Sequence, residues 1–149
     1  MKILLIRCLF NYYENKDNST VVHEVSPPIG LMYVASYIRK QFGDTINVEL
    51  LDLTIEKLDE SVLSRYNPDI CGLGGYSISS PIVSTAAKLI KEFNSRITVV
   101  AGGPYISADY EKALLDENID YGVIGEGEEA FASIIQAIKR KDFLDIENI

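Results

Sequence analysis

The sequence predicts a single open, doubly wound α/β domain built on a five-stranded parallel sheet. Three observations lead there. Short apolar runs alternate with segments of helical period, which is the pattern of repeated βαβ units. Those runs show little alternation of apolar and polar residues, as strands buried on both faces do. The length, 149 residues, is that of one ordinary domain and lets roughly two-thirds of the unfolded surface be buried.

The first strand is expected over Lys2 to Leu9. A helix over Ile29 to Phe42 follows, with Leu31, Val34, Ala35, Ile38 and Phe42 on one face. Val48 to Leu53 is the second strand. Ile55, Leu58, Val62, Leu63 and Tyr66 give a second helical stripe, stopped at Asn67-Pro68 because proline restricts the residue before it. The third strand, Ile70 to Tyr76, is punctuated by glycines. The third helix is expected to open with Ser80 as cap and Pro81 at its first position, burying Ile82, Ala86, Leu89, Ile90 and Phe93. Ile97 to Ala101 is the fourth strand and runs into Gly102-Gly103-Pro104. A short helix from Ser107 to about Glu117 precedes the fifth strand, Tyr121 to Ile124. Gly125-Glu126-Gly127 leads into the last helix, with Phe131, Ile134, Ile135 and Ile138 facing inward. Glu128 and Glu129 in its first turn and Lys139, Arg140 and Lys141 in its last suit the helix dipole. Right-handed crossovers leave two common strand orders, 3-2-1-4-5 and 2-1-3-4-5, and the pattern alone does not choose between them.

Bulk properties narrow the partners. A net charge of −8 with no basic cluster argues against nucleic acid, whose affinity comes from grouped Lys and Arg. No apolar run is long enough to span a bilayer. The opening run Ile3 to Ile6 is cut short by Arg7 and reads as a buried strand, not a signal peptide. Cys8 and Cys71 both fall in strands and read as reduced, buried thiols of a cytoplasmic protein.

Doubly wound sheets bind ligands outside the carboxyl ends of their strands, where the strand order reverses. Three glycine groups fall on that edge: Gly72, Gly74 and Gly75, then Gly102 and Gly103, then Gly125 and Gly127. Glycine in a strand marks close approach of a ligand or backbone, or tight packing of a helix on the sheet. Together the three groups make a side-chain-poor floor suited to a large flat ligand. The connection from Phe10 to Ser26, with Tyr12, Tyr13 and His23, is longer than compact domains usually carry and reads as a lid over that floor. The catalytic inventory is thin. His23 is the only histidine and has no recognisable nucleophile to serve. Asp52 suits a ribose hydroxyl or a turn, and Glu126, Glu128 and Glu129 suit a helix start. There is no Gly-x-Gly-x-x-Gly after the first strand and no Gly-Lys-Ser/Thr loop. Arg7-Cys8-Leu9 lacks the acidic pocket of response-regulator receivers, and Asn11-Tyr12-Tyr13 does not resemble the phosphate loop of flavodoxins.

Four segments, read in series over almost the whole chain, resemble one family. They are Pro27-Pro28-Ile29-Gly30-Leu31, Asn67-Pro68-Asp69-Ile70-Cys71-Gly72, Val99-Val100-Ala101-Gly102-Gly103-Pro104 and Tyr121-Gly122-Val123-Ile124-Gly125-Glu126-Gly127-Glu128. Together they are similar to the amino-terminal cobalamin (B12)-binding domain of B12-dependent radical-SAM enzymes, of the oxidative cyclase or methyltransferase type. The resemblance implies a flavodoxin-like sheet of order 2-1-3-4-5, with the corrin over the strand ends and its nucleotide tail beside Gly102, Gly103 and Pro104. It implies that Tyr12, Tyr13, Gly74 and Gly75 border the cofactor, with Ser77 and Ser79 near its tail or side chains. Gly125, Glu126 and Gly127 would complete the site. The Asp-x-His-x-x-Gly motif with which the classical B12 domains of methionine synthase and the mutases supply a cobalt-ligating histidine is absent, since Val21 stands two positions before His23 and Ser26 three after it. Cobalamin is therefore expected to bind without a histidine ligand. The family's 4Fe–4S cluster and S-adenosylmethionine belong to a following barrel with a Cys-x-x-x-Cys-x-x-Cys loop, which two cysteines cannot supply. The chain is thus expected to be part of a longer protein, binding cofactor without catalysing alone. Two alternatives stay open: a regulatory α/β domain that has lost its cofactor, and an FMN- or nucleotide-binding domain of the same fold.

Overall fold

A computed structural model of the chain describes residues 1–9 and 26–141. Five strands, β1 (Lys2–Cys8), β2 (Asn47–Asp52), β3 (Ile70–Gly75), β4 (Thr98–Gly102) and β5 (Tyr121–Gly122), form one sheet. Its order is β2-β1-β3-β4-β5 and every pairing is parallel. Of the two strand orders open from the pattern, the sheet takes the one that the family resemblance implied.

Helices α1 (Ile29–Phe42) and α6 (Gly127–Arg140) cover one face, burying Ala35, Ile38, Phe131, Ile134 and Ile135 against Ile3, Leu5 and Val100. Four helices, α2 (Glu60–Tyr66), α3 (Ser80–Phe93), α4 (Pro104–Ala108) and α5 (Tyr110–Ala113), cover the other. There Val62, Leu63, Val83, Ala87, Ile90 and Ile106 pack on Leu4, Ile6, Leu73 and Val99. A β-strand presents alternate side chains to opposite faces, so odd positions of β1 look toward α1 and α6 and even ones toward α3. The register carries this across the sheet. Leu5 stands beside Gly72, and Gly72 beside Val100; one row nearer the carboxyl edge, Arg7, Gly74 and Gly102 line up in the same way.

Several boundaries differ from expectation, each for a local reason. The second helix does not begin at the Ile55–Leu58 stripe. Asp59 caps it, its carboxylate accepting from the Val62 N–H at 2.9 Å, and Ile55 stays exposed in the preceding turn. That helix ends at Asn67 in the left-handed conformation (φ 46°), just before Pro68. In α3 the capping position is Ser79 rather than Ser80, with Pro81 in the first turn and no side-chain cap. The single helix expected over Ser107 to Glu117 is two shorter ones, α4 and α5, broken at Asp109, and α4 starts earlier, on Pro104. The strand β5 is shorter than expected, although the Val123 N–H still reaches the Ala101 carbonyl at 2.8 Å.

Candidate functional site

A cavity of about 410 Å³ opens at the carboxyl edge of the sheet on the α1/α6 side. It lies at the strand-order reversal between β1 and β3, and its volume is within the range of small-molecule sites. The sheet supplies its floor, with Leu5, Gly72 and Val100 in one row and Arg7, Gly74 and Gly102 in the next. The first turns of α1 (Pro28 to Val34) and α6 (Gly127 to Phe131) supply its walls. The amino ends of two fourteen-residue helices therefore meet at the mouth; the helix dipoles there favour an anion, and the Glu126 and Glu128 carboxylates oppose one.

The chemistry of the lining changes with depth. Toward the bottom, Leu5, Val100 and Phe131 are buried and apolar, with buried Val123 one row higher beside Gly102. Arg7 stands at the top, donating from Nη1 to Asp52 Oδ2 at 2.9 Å and to the Ser26 carbonyl at 2.6 Å. This ties the carboxyl end of β1 to the residue just before Pro27-Pro28, which opens α1. Burial disfavours the Asp52 charge, but the hydroxyl and N–H of Thr54 donate to Oδ1 and Arg7 donates to Oδ2. These bonds and the guanidinium charge hold the carboxyl below its usual range. Asp52 serves this turn and ion pair and is not part of the cavity lining.

The glycines have two distinct duties. A Cβ on Gly72 would sit 2.6 Å from Leu5 Cδ2 and 2.9 Å from Phe131 Cε2, and one on Gly74 would sit 3.0 Å from Leu31 Cδ2. A Cβ on Gly75 would meet Val83 of α3 at 2.9 Å, on the opposite face. Bare strand β3 thus lets helices and neighbouring side chains close onto the sheet. Gly103 has φ +87° and would bring a Cβ within 3.1 Å of the Gly75 carbonyl oxygen, so the ends of β3 and β4 touch backbone to backbone. Gly125, at φ +78°, borders open space, and its N–H donates to Ser107 Oγ at 3.0 Å, which pins the turn before α6 to α4.

Of the residues singled out from sequence, Gly74, Gly75, Gly102, Gly103, Pro104, Gly125, Glu126 and Gly127 all line the cavity. Glu128 joins them, and Glu126 makes no side-chain cap on α6. Ser77 and Ser79 follow β3 but are not in the lining. Ser79 is fully buried, and its hydroxyl has no hydrogen-bond partner among the described residues. Tyr12, Tyr13 and His23 lie outside the described residues. Sequence reasoning missed Arg7, Leu31, Val34 and Phe131 as lining residues, because their helical or strand period marks them as ordinary core. The thiols of Cys8 and Cys71 are buried and pushed up to about 12, and no group of described residues is arranged to hold a metal ion.

Residues 16–135 match the B12-binding domain family. The chain belongs to that family. Its cofactor is cobalamin, and of the ligand classes weighed from the sequence this selects the corrinoid over a flavin. An uncharacterized methyltransferase of Pyrococcus horikoshii is 31% identical over 125 residues, which is 80% of this chain and 26% of the relative. Among solved structures, the radical S-adenosylmethionine methyltransferase TsrM of Kitasatospora setae, with tryptophan substrate and a SAM analogue bound, superposes with a TM-score of 0.75. It is 21% identical, and the match covers 99% of this chain and 27% of TsrM. TsrM with cobalamin and its 4Fe–4S cluster bound gives a TM-score of 0.70 at 23% identity, over 99% of this chain and 26% of TsrM. The B12-binding chain therefore spans about a quarter of the length of these relatives. No helix among the described residues is long and apolar enough to cross a membrane.

Proposed function

We propose that this B12-binding domain serves a radical-SAM methyltransferase, seating the corrin over the carboxyl edge of the sheet and the nucleotide tail in the cavity between α1 and α6. The observation that carries this reading is the graded chemistry of that cavity. A guanidinium and two helix amino ends stand at the mouth beside the Glu126 and Glu128 carboxylates, and aliphatic and aromatic side chains lie below. The cobalamin tail has the same grading, an anionic phosphodiester followed by a mostly apolar base, so the residues present fit the group. Gly74, Gly102 and Gly103 would leave room for the tail, with Arg7 toward its phosphate. Gly75, Pro104, Gly125, Glu126 and Gly127 would border the corrin. Bound cobalamin supplies a cobalt centre for group transfer. The described lining contains no histidine or cysteine, so these residues would bind and orient the cofactor.

The methyltransferase assignment rests on the Pyrococcus and Kitasatospora relatives. Their greater length supports a partner barrel elsewhere in the same protein, holding the 4Fe–4S cluster and S-adenosylmethionine. Two buried thiols and the absence of any candidate disulfide among the described residues suit a reducing cytoplasm. The test is to mix the purified chain with hydroxocobalamin, desalt it and record the visible spectrum, with FMN in a parallel sample. Retained corrin bands and lost flavin are expected. Retained flavin with lost corrin would overturn the reading, and loss of both would favour a regulatory domain without cofactor.

A further inference from the structure

We infer that the cavity selects the base of the cofactor's nucleotide tail, accepting a benzimidazole and rejecting a purine. This rests on the proposal that the tail enters the cavity. Among the described residues, the bottom of the cavity offers a base almost nothing to hydrogen-bond. Its side chains are Leu5, Val100 and Phe131, all buried. Its backbone is committed as well. Leu5 is paired with Leu50 on one side and Gly72 on the other, Gly72 with Leu5 and Val100, and Val100 with Gly72 and Tyr121. Phe131 sits inside α6. The polar side chains of the described lining, Arg7, Ser26, Tyr76, Glu126 and Glu128, belong to the carboxyl edge and not to the row of Leu5 and Val100.

A polar group taken from water into such a place loses its hydrogen bonds without replacement. Dimethylbenzimidazole has a single free ring nitrogen, and its methyl groups gain from apolar contact. Adenine carries several ring acceptors and an amino group, and each would be stranded there. A site built without partners discriminates against the ligand that needs them, though less strongly than a hydrogen-bonding site rejects an analogue that lacks them.

The experiment compares the affinities of the intact chain for three corrinoids: cobalamin, its adenine-based counterpart, and cobinamide, which has no nucleotide. Each affinity is divided by the fraction of free ligand whose base is detached from cobalt, because only a detached base can enter the slot. Cobalamin is expected to bind at least about tenfold more tightly than the adenine form, with cobinamide also weaker than cobalamin. Equal binding of cobalamin and its adenine counterpart would overturn the selectivity while leaving the cobalamin reading intact. Cobinamide binding as well as cobalamin would place the base outside the cavity and overturn it too. Retention of none of the three would instead overturn the underlying cofactor reading.

Discussion

Replacing Gly72 with alanine tests whether the cavity and the core share one wall. The new methyl would lie 2.6 Å from Leu5 Cδ2 and 2.9 and 3.1 Å from Phe131 Cε2 and Cζ. Overpacking of this kind costs about 1–3 kcal/mol when the neighbours are locked. Here all three opposing atoms are the far ends of side chains that line a cavity of about 410 Å³, so there is space to move into. The stability cost should therefore fall near the lower end, about 1 kcal/mol, or about 2–4 °C in thermal midpoint for a chain of this size. The relief carries the Phe131 ring into the volume assigned to the nucleotide tail. Cobalamin affinity should drop by at least about tenfold, which corresponds to about 1.4 kcal/mol. Thermal denaturation of the apo chain and spectrophotometric titration with hydroxocobalamin measure the two effects separately. Adding Phe131→Leu should recover part of the binding lost in Gly72→Ala. A loss of about 3 kcal/mol in stability with unchanged cobalamin affinity would refute the reasoning, because it would mean that the strain goes into the core and not into the site.

Four further outcomes follow from the same geometry. Asp52→Asn should lower stability at neutral pH, with the difference from wild type shrinking in acid. The folded carboxyl is held below its unfolded value of about 4, so its contribution is present above that value and lost as pH falls through the lower folded one; urea denaturation across the acid range reads this directly. Ser107→Ala removes the bond to the Gly125 N–H and should weaken cobalamin binding by about fivefold, with a small change in thermal midpoint; unchanged binding would show that this turn needs no pin. His23→Ala should leave the spectrum of bound cobalamin unchanged, and a shift in its cobalt-ligand bands would identify a histidine ligand after all. Cys8 and Cys71, pushed up to about 12 by burial, should resist alkylation at pH 8 in the folded chain and react once urea unfolds it.

The fold was legible in the sequence wherever period decides structure. α1 takes the limits Ile29–Phe42 expected from its apolar stripe, and each strand lies within two residues of its expected ends. The miss at α2 came from weighing Ile55 and Leu58 as helical stripe when Asp59 carried the stronger signal, a cap three residues before Val62. The break in the helix after β4 came from treating Pro104 as loop, although proline belongs at a first helical position. For the site, glycines and the topology rule located the edge and most of the rim. The walls were not legible, because a residue that lines a cavity between helix and sheet has the same period as one that fills it. Leu31 and Phe131 differ from Ile38 and Ile135 only in height along the helices, which the register of the strands sets.

Because all five strands run the same way, the two edges of the sheet hold different kinds of residue. At the amino edge, Lys91 bridges Asp120 at 2.6 Å and the Ile97 carbonyl at 2.8 Å, Asp120 also accepts from the Val99 N–H, and Asp69 accepts from the Lys2 N–H. Those contacts fasten strands to their neighbours at the end of the sheet opposite the cavity mouth. Random substitutions should therefore separate by latitude: changes near the amino edge should melt the domain earlier with its ligand constant intact, and changes near the carboxyl edge should do the reverse. The row of Leu5, Gly72 and Val100 is the equator, where the two effects cannot be separated.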